Sequence, residues 1–270
     1  WNYIGDWGTQ FGRLIAAFKK YNEPVASVDD LVRLYVRFHA DMKEDPALED
    51  AGRVEFKKLE EGDEESRALW VRFREISMKE YERTYELLRA QFEVSKGESE
   101  YEQALAPLVQ RLVDTGLAVP SEGALIIDLE EFSLPVALVQ KSDGATLYLT
   151  RDIASLEDRI ATYKPAKLLY VVANEQALHF EQLFATVQKM RLQNLPELVH
   201  VKFGLVLGED GKKFSTREGN AVPLQQIIDE IIKRAADVVR TKNPTLGEDE
   251  TAGIAQVVGI GALKYNDLRQ

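Results

Sequence analysis

The chain has 270 residues, 45% hydrophobic and 29% charged, with a net charge of −11 and no cysteine. That length and apolar content can bury a core of one large or two modest domains. The composition excludes disulfides and thiolate metal sites, and the acidic balance argues against indiscriminate nucleic-acid binding. No run is long and apolar enough for a membrane helix, and Trp1-Asn2-Tyr3-Ile4-Gly5-Asp6 has neither a start methionine nor a basic leader. Charge is uneven: residues 164–242 hold 12 Lys+Arg against 9 Asp+Glu, a net of +3, which leaves −14 for the rest. A locally basic face can meet phosphates, and ordinary surface scatter gives the same numbers.

In chain order, residues 1–4 read as the end of a strand, 5–12 as a glycine-punctuated loop and 13–21 as a helix. Residues 28–42 read as a helix with Val28, Leu31, Leu34, Tyr35 and Phe38 on one stripe. Residues 41–63 are acidic and expected to be exposed. From Glu64 to Phe92, aromatic and aliphatic residues recur three or four apart, a long amphipathic helix whose stripe is core. A further helix is expected over 99–115.

The texture changes after Gly116, with short β-prone runs to Gln140, a turn at Ser142-Asp143-Gly144 and a strand over 146–150. Residues 152–163 and 176–192 read as helices. Lys167–Val172 reads as a strand buried on both faces, and 199–207 as extended. This alternation predicts an α/β fold with a parallel, doubly wound sheet. Helices over 223–240 and 249–268 follow, with Gly253, Gly259 and Gly261 expected to be close-packing sites.

Four strings could carry chemistry. Gly5-Asp6-Trp7-Gly8-Thr9-Gln10-Phe11-Gly12 is a strand-to-helix turn whose helix offers free N–H groups to an anion, or whose Asp6 or Thr9 only caps the helix. In Leu147-Tyr148-Leu149-Thr150-Arg151-Asp152, a strand would put Tyr148, Thr150 and Asp152 on one face. A carboxylate and a phenol together suit a planar guanidinium, while Thr150 as a helix cap explains the same residues. Asn174-Glu175-Gln176-Ala177-Leu178-His179-Phe180 follows the buried strand and opens a helix. Gly208 to Asn220 is a polar loop whose glycines and cations (Lys212, Lys213, Arg217) suit a polyphosphate, or a solvated hairpin. Three scattered histidines and no cysteine predict no metal site.

The order of residues in these strings carries a resemblance. Asp210 to Asn220 is similar to the KMSKS loop of class I aminoacyl-tRNA synthetases, and its Lys-x-Phe-x-Thr-Arg-x-Gly form resembles arginyl-tRNA synthetases in particular. Lys213 matches the first lysine and Ser215 the serine. Thr216 stands at the second lysine, so Lys212 and Arg217 become the neighbouring cations. The Gly5–Gly12 string resembles the segment just downstream of the HIGH motif, and the Tyr-x-Thr-Arg-Asp string the arginine-recognition segment. The resemblance implies a Rossmann-like class I core with a largely helical insertion. Residues 1–22 would open the catalytic core, 23–140 form the insertion, 141–222 complete the core with the loop, and helices 223–270 lead into an anticodon-binding domain. It implies arginine contacts at Tyr148, Asp152 and Gln176, and ATP contacts at Gly8, His179, Phe180 and Lys213. Lys212, Lys213, Ser215 and Arg217 would stabilise pyrophosphate.

The implied function is ATP-dependent activation of arginine, with Mg2+ accompanying ATP, and its transfer to arginine tRNA by a cytoplasmic, monomeric ligase with no membrane partner. No HxGH string occurs in the chain, and the family's copy would precede Trp1. The expectation is therefore a central fragment with little activity alone. The alternative is a non-catalytic RNA-binding or regulatory relative.

Overall fold

The computed structural model describes residues 1–204 and 224–269. The described chain forms two compact units. The first takes Trp1–Trp7 and everything from Val94 through the strand ending at Phe203. The second takes Gly8–Glu93 and the two C-terminal helices.

The first unit is α/β. Strands β1 (Asn2–Ile4) and β2 (Ser95–Gly97) pair in parallel, Tyr3 against Lys96. Helix α5 (Glu102–Asp114) follows a 3-10 turn over Glu98–Tyr101. Strands β3 (Val119–Ser121), β4 (Ala124–Ile127) and β5 (Ala137–Gln140) make a small antiparallel sheet. Helix α6 (Tyr148–Tyr163) leads to β6 (Lys167–Ala173), which pairs in parallel with β7 (Glu197–Phe203) across helix α7 (Ala177–Lys189). One apolar cluster joins Leu105, Leu108 and Leu112 of α5, Ile127 and Val139 of the small sheet, Ile153 and Leu156 of α6, and Leu183 and Val187 of α7.

Two expectations fail in this unit. Residues 146–150 are not a strand. Thr146 makes an isolated antiparallel bridge to Gln140, and the helix has begun by Tyr148. The β-prone residues lose to packing, because Leu149, Ile153 and Leu156 at helical spacing bury together. Thr150 is fully buried, and its hydroxyl donates to the Val139 carbonyl at 2.6 Å. Strand β6 is not buried on both faces either. Tyr170 is covered, while Leu169 and Val171 are 58% and 65% exposed.

The second unit is helical: α1 (Thr9–Tyr21), α2 (Val28–Glu44), α3 (Ala47–Glu60), α4 (Glu64–Leu87), α8 (Leu224–Lys242) and α9 (Glu248–Leu268). Ser27 and Asp30 form a reciprocal capping box at the start of α2. The acidic stretch expected to be exposed contains α3, which buries Gly52, Glu55, Phe56 and Leu59. Its spacing of apolar and small residues is helical, and the acids lie on the outer face or pair. Buried Glu55 accepts from Lys19 at 2.9 Å and Lys58 at 2.8 Å. The aromatic stripe of 64–92 is only partly core: Phe73 is fully buried, while Tyr81 and Phe92 are exposed.

Glycine sets the closest approach between α1 and α3. A Cβ on Gly12 would run into the Gly52 carbonyl oxygen and sit 2.5 Å from Phe56 Cβ. Of the three glycines expected to pack closely in α9, Gly259 does so, against Ile232 of α8. Gly253 and Gly261 face open space.

Substitution at these glycines therefore has opposite signs. Gly12→Ala is expected to cost about 2–4 kcal/mol through overpacking. Gly253→Ala, in an unobstructed helix interior, is expected to gain up to about 1 kcal/mol. Denaturant titration of both variants checks the pair.

Candidate functional site

The candidate site lies past the carboxyl ends of the parallel strands of the first unit, where open α/β folds place ligands. Asp6 follows β1, Glu98 follows β2, and Gln176 and His179 follow β6. Helix α6 supplies Tyr148, Arg151 and Asp152 from its first two turns.

Asp6 does not cap α1. Gly8 is the N-cap of that helix, and no side chain caps it. Asp6 is 2% exposed and accepts from the Ser99 N–H and the Ser99 hydroxyl, both at 2.9 Å. Gly97 permits this, because a Cβ there would collide with the Asp6 carboxylate. The parallel pairing of Ile4 with Gly97 brings the two segments together.

Glu98 is the residue that sequence reasoning missed. Burial pushes its carboxyl up to about 7. The negative charges of Asp152 and Asp6 act in the same direction, and Arg151 opposes them. Arg151 Nη1 lies 3.5 Å from Glu98 Oε2; the Arg151 side chain is buried and that of Glu98 is 12% exposed. The Tyr3 hydroxyl is buried without a hydrogen-bond partner among the described residues. Burial and the neighbouring Asp152 and Glu98 charges raise its pKa. Arg159 lies between the Tyr3 and Tyr170 rings, 5.2 and 5.4 Å from their centroids, and so bridges β1 and β6.

Asp152 and His179 meet: Nε2 is 2.6 Å from Oδ2. Tyr148 stands one turn before Asp152, 57% exposed, with its ring 6.0 Å from the Arg151 guanidinium carbon. Two of the three predicted arginine contacts, Tyr148 and Asp152, thus share a helix face at i,i+4, and not a strand face with Thr150. Gln176 is exposed at the end of a 3-10 turn, three residues before His179. Phe180 is buried, its ring 4.5 Å from His200 and 5.0 Å from Tyr170. Gly8 belongs to the second unit. Lys212, Lys213, Ser215 and Arg217 lie outside the described residues. Among the described residues no group of three His, Asp or Glu could hold a metal, and no helix is long and apolar enough to cross a membrane.

Comparison with known proteins agrees with this α/β site and defines the class. The family described as tRNA synthetases class I (R), catalytic domain, matches residues 1–270, and the chain belongs to that family. It is 45% identical over 272 residues to an arginine–tRNA ligase of Exiguobacterium sibiricum, covering 99% of this chain and 48% of that protein. It is 46% identical to arginine–tRNA ligase 1 of Bacillus cereus with the same coverage. The chain thus spans about half the length of the curated relatives it matches. Among solved structures, the arginyl-tRNA synthetase of Plasmodium falciparum superposes with a TM-score of 0.80 at 28% identity, covering all of this chain and 44% of that one. The Thermus thermophilus arginyl-tRNA synthetase gives 0.70 at 21% identity over 98% of this chain and 50% of that one, a likeness of fold.

The raised Glu98 carboxyl sets a pH dependence. Between its ordinary value of 4.5 and about 7, the folded chain holds a proton that the unfolded chain has released. Its contribution to stability is full below pH 4.5, shrinks as pH rises and is gone above about 7. Glu98→Gln keeps the neutral shape. It is expected to match the parent protein near pH 4.5 and to exceed it by about 2–4 kcal/mol above pH 8. Urea titrations at the two pH values check this, and parallel stability curves would count against a protonated Glu98.

Proposed function

We propose that the whole protein containing this chain is an arginine–tRNA ligase. It would join arginine to ATP as arginyl-adenylate, release pyrophosphate, and pass the arginyl group to the 3′ end of arginine tRNA. The observation that carries the reading is the partly buried carboxylate pair, Asp152 with Glu98, which has Arg151 as its nearby cation. Such a site favours a second cation. A guanidinium matches it best, because its planar fork offers parallel N–H donors and remains charged at any working pH. The exposed Tyr148 ring, one turn from Asp152, suits the flat face of that cation. Glu98 would ionise as the cation arrives, so the site carries its full negative charge when occupied.

The family membership and the similarity to arginine–tRNA ligases support the same substrate. Attack of the arginine carboxylate on the ATP α-phosphate needs alignment and charge stabilisation more than covalent help. Lys213, with Lys212, Arg217 and Ser215, would stabilise the departing pyrophosphate. Gln176, near the start of α7, would complete the arginine side, and Gly8, His179 and Phe180 are the resemblance's candidates for ATP. Mg2+ would enter on the nucleotide's own phosphate oxygens, and no described residue is assigned to it. The lack of cysteine fits a reducing compartment such as the cytoplasm.

In the full-length protein, Asp152→Asn is expected to lower kcat/KM for arginine by about 30- to 1000-fold, a loss of about 2–4 kcal/mol, with ATP KM little changed. Arginine-dependent ATP–pyrophosphate exchange with arginine tRNA present is the assay. An arginine KM within about threefold of the parent's would reduce Asp152 to a helix residue. In the same assay, Lys213→Ala is expected to lower kcat by about 100-fold or more at nearly constant ATP KM. An unchanged kcat would remove the loop from the mechanism.

A further inference from the structure

His179 stands in the first turn of α7, on a segment that the resemblance gives to the nucleotide. Its side chain points elsewhere, to Asp152 Oδ2 at 2.6 Å. Both side chains are about four-fifths buried, at 22% and 18% exposure. No other hydrogen bond reaches the Asp152 carboxylate among the described residues. Its charged and titratable surroundings are Glu98 after β2, Tyr3 on β1, Arg151 and Tyr148 on its own helix, and Tyr170 on β6. The imidazole is therefore what fixes the carboxylate, whose terminal torsion is otherwise broad.

The imidazole is itself held. It packs edge-on against Phe180 at 5.3 Å. Phe180 is wedged among Tyr170, Phe184 and His200, and His200 Nε2 is 2.9 Å from the Val172 carbonyl oxygen. A rigid aromatic stack on β6, α7 and β7 thus sets the direction of one carboxylate on α6. Parallel bonds to a planar guanidinium need that plane fixed.

We infer that His179 is a positioning residue for the amino-acid side chain: its Nε2–H donates to Asp152 Oδ2 and turns the remaining lone pairs of the carboxylate toward the guanidinium. The role rests on the reading of Asp152 as guanidinium acceptor.

The test uses the full-length enzyme with arginine tRNA and compares His179→Ala, His179→Gln and Asp152→Asn. The Gln amide nitrogen reaches about where imidazole Nε2 sits and restores an uncharged donor. His179→Ala is expected to raise arginine KM by about tenfold with ATP KM within about twofold, and His179→Gln to recover most of the loss. Calorimetric arginine binding should follow the same order. Four results would overturn the role: an unchanged arginine KM in His179→Ala, a lowered one, a rise in ATP KM instead, or a Gln variant as impaired as Ala. If Asp152→Asn leaves arginine KM ordinary, the underlying reading of the site fails. If that KM rises while His179→Ala is ordinary, only the role of His179 falls.

Discussion

Three carboxylates, buried Asp6 and partly buried Glu98 and Asp152, share one region past the ends of parallel strands, with Arg151 as the cation beside Glu98. Burying like charges together is costly, and each carboxylate meets the cost differently. Asp6 takes two hydrogen bonds from Ser99 and needs the bare Cα of Gly97. Glu98 keeps its proton up to about pH 7. Asp152 leans on His179. The arrangement depends on the three-residue pairing of β1 with β2, whose register continues to Gly5 beside Glu98 and Asp6 beside Ser99, and on the start of α6, which presents Asp152. A region with this charge arrangement is poised for an incoming cation, and the selectivity proposed here follows from that.

The site was half legible in the sequence. Tyr148, Asp152 and His179 were recognisable as strings, but their geometry was not. Leu147-Tyr148-Leu149-Thr150 has strand-like propensity, and the helical stripe of Leu149, Ile153 and Leu156 competes for the same residues. Packing decided in favour of the helix, and that changed which neighbours Asp152 has. Glu98 had no local signal, since its place comes from pairing segments more than 90 residues apart in the chain. Nothing in Ser95-Lys96-Gly97-Glu98-Ser99 announces a partner strand at Asn2–Ile4. The contact between Asp152 and His179 was hidden for another reason: resemblance had divided them between two substrates.

Element types were more legible than their surroundings. The helices over 28–44, 224–242 and 248–268 follow their periodicity, and the β6–α7–β7 unit follows the alternation of apolar runs. Burial was harder to read. An acidic segment hid the buried face of α3, and the apolar run of β6 leaves Leu169 and Val171 open. Some of the Gly5–Gly12 string proves structural: Gly8 takes a φ of 139° at the head of α1, and Gly12 admits α3. Signature residues can therefore be kept for packing as well as for chemistry.

The central claim is that charge, and not shape alone, selects the substrate. Citrulline has nearly the outline of arginine without its positive charge. ATP–pyrophosphate exchange by the full-length protein with arginine tRNA, run in parallel with arginine and citrulline, tests the claim directly. The carboxylate site predicts a preference for arginine of about a thousandfold or more, since citrulline brings no second cation to the Asp152 carboxylate. Exchange with citrulline within about tenfold of that with arginine would contradict it.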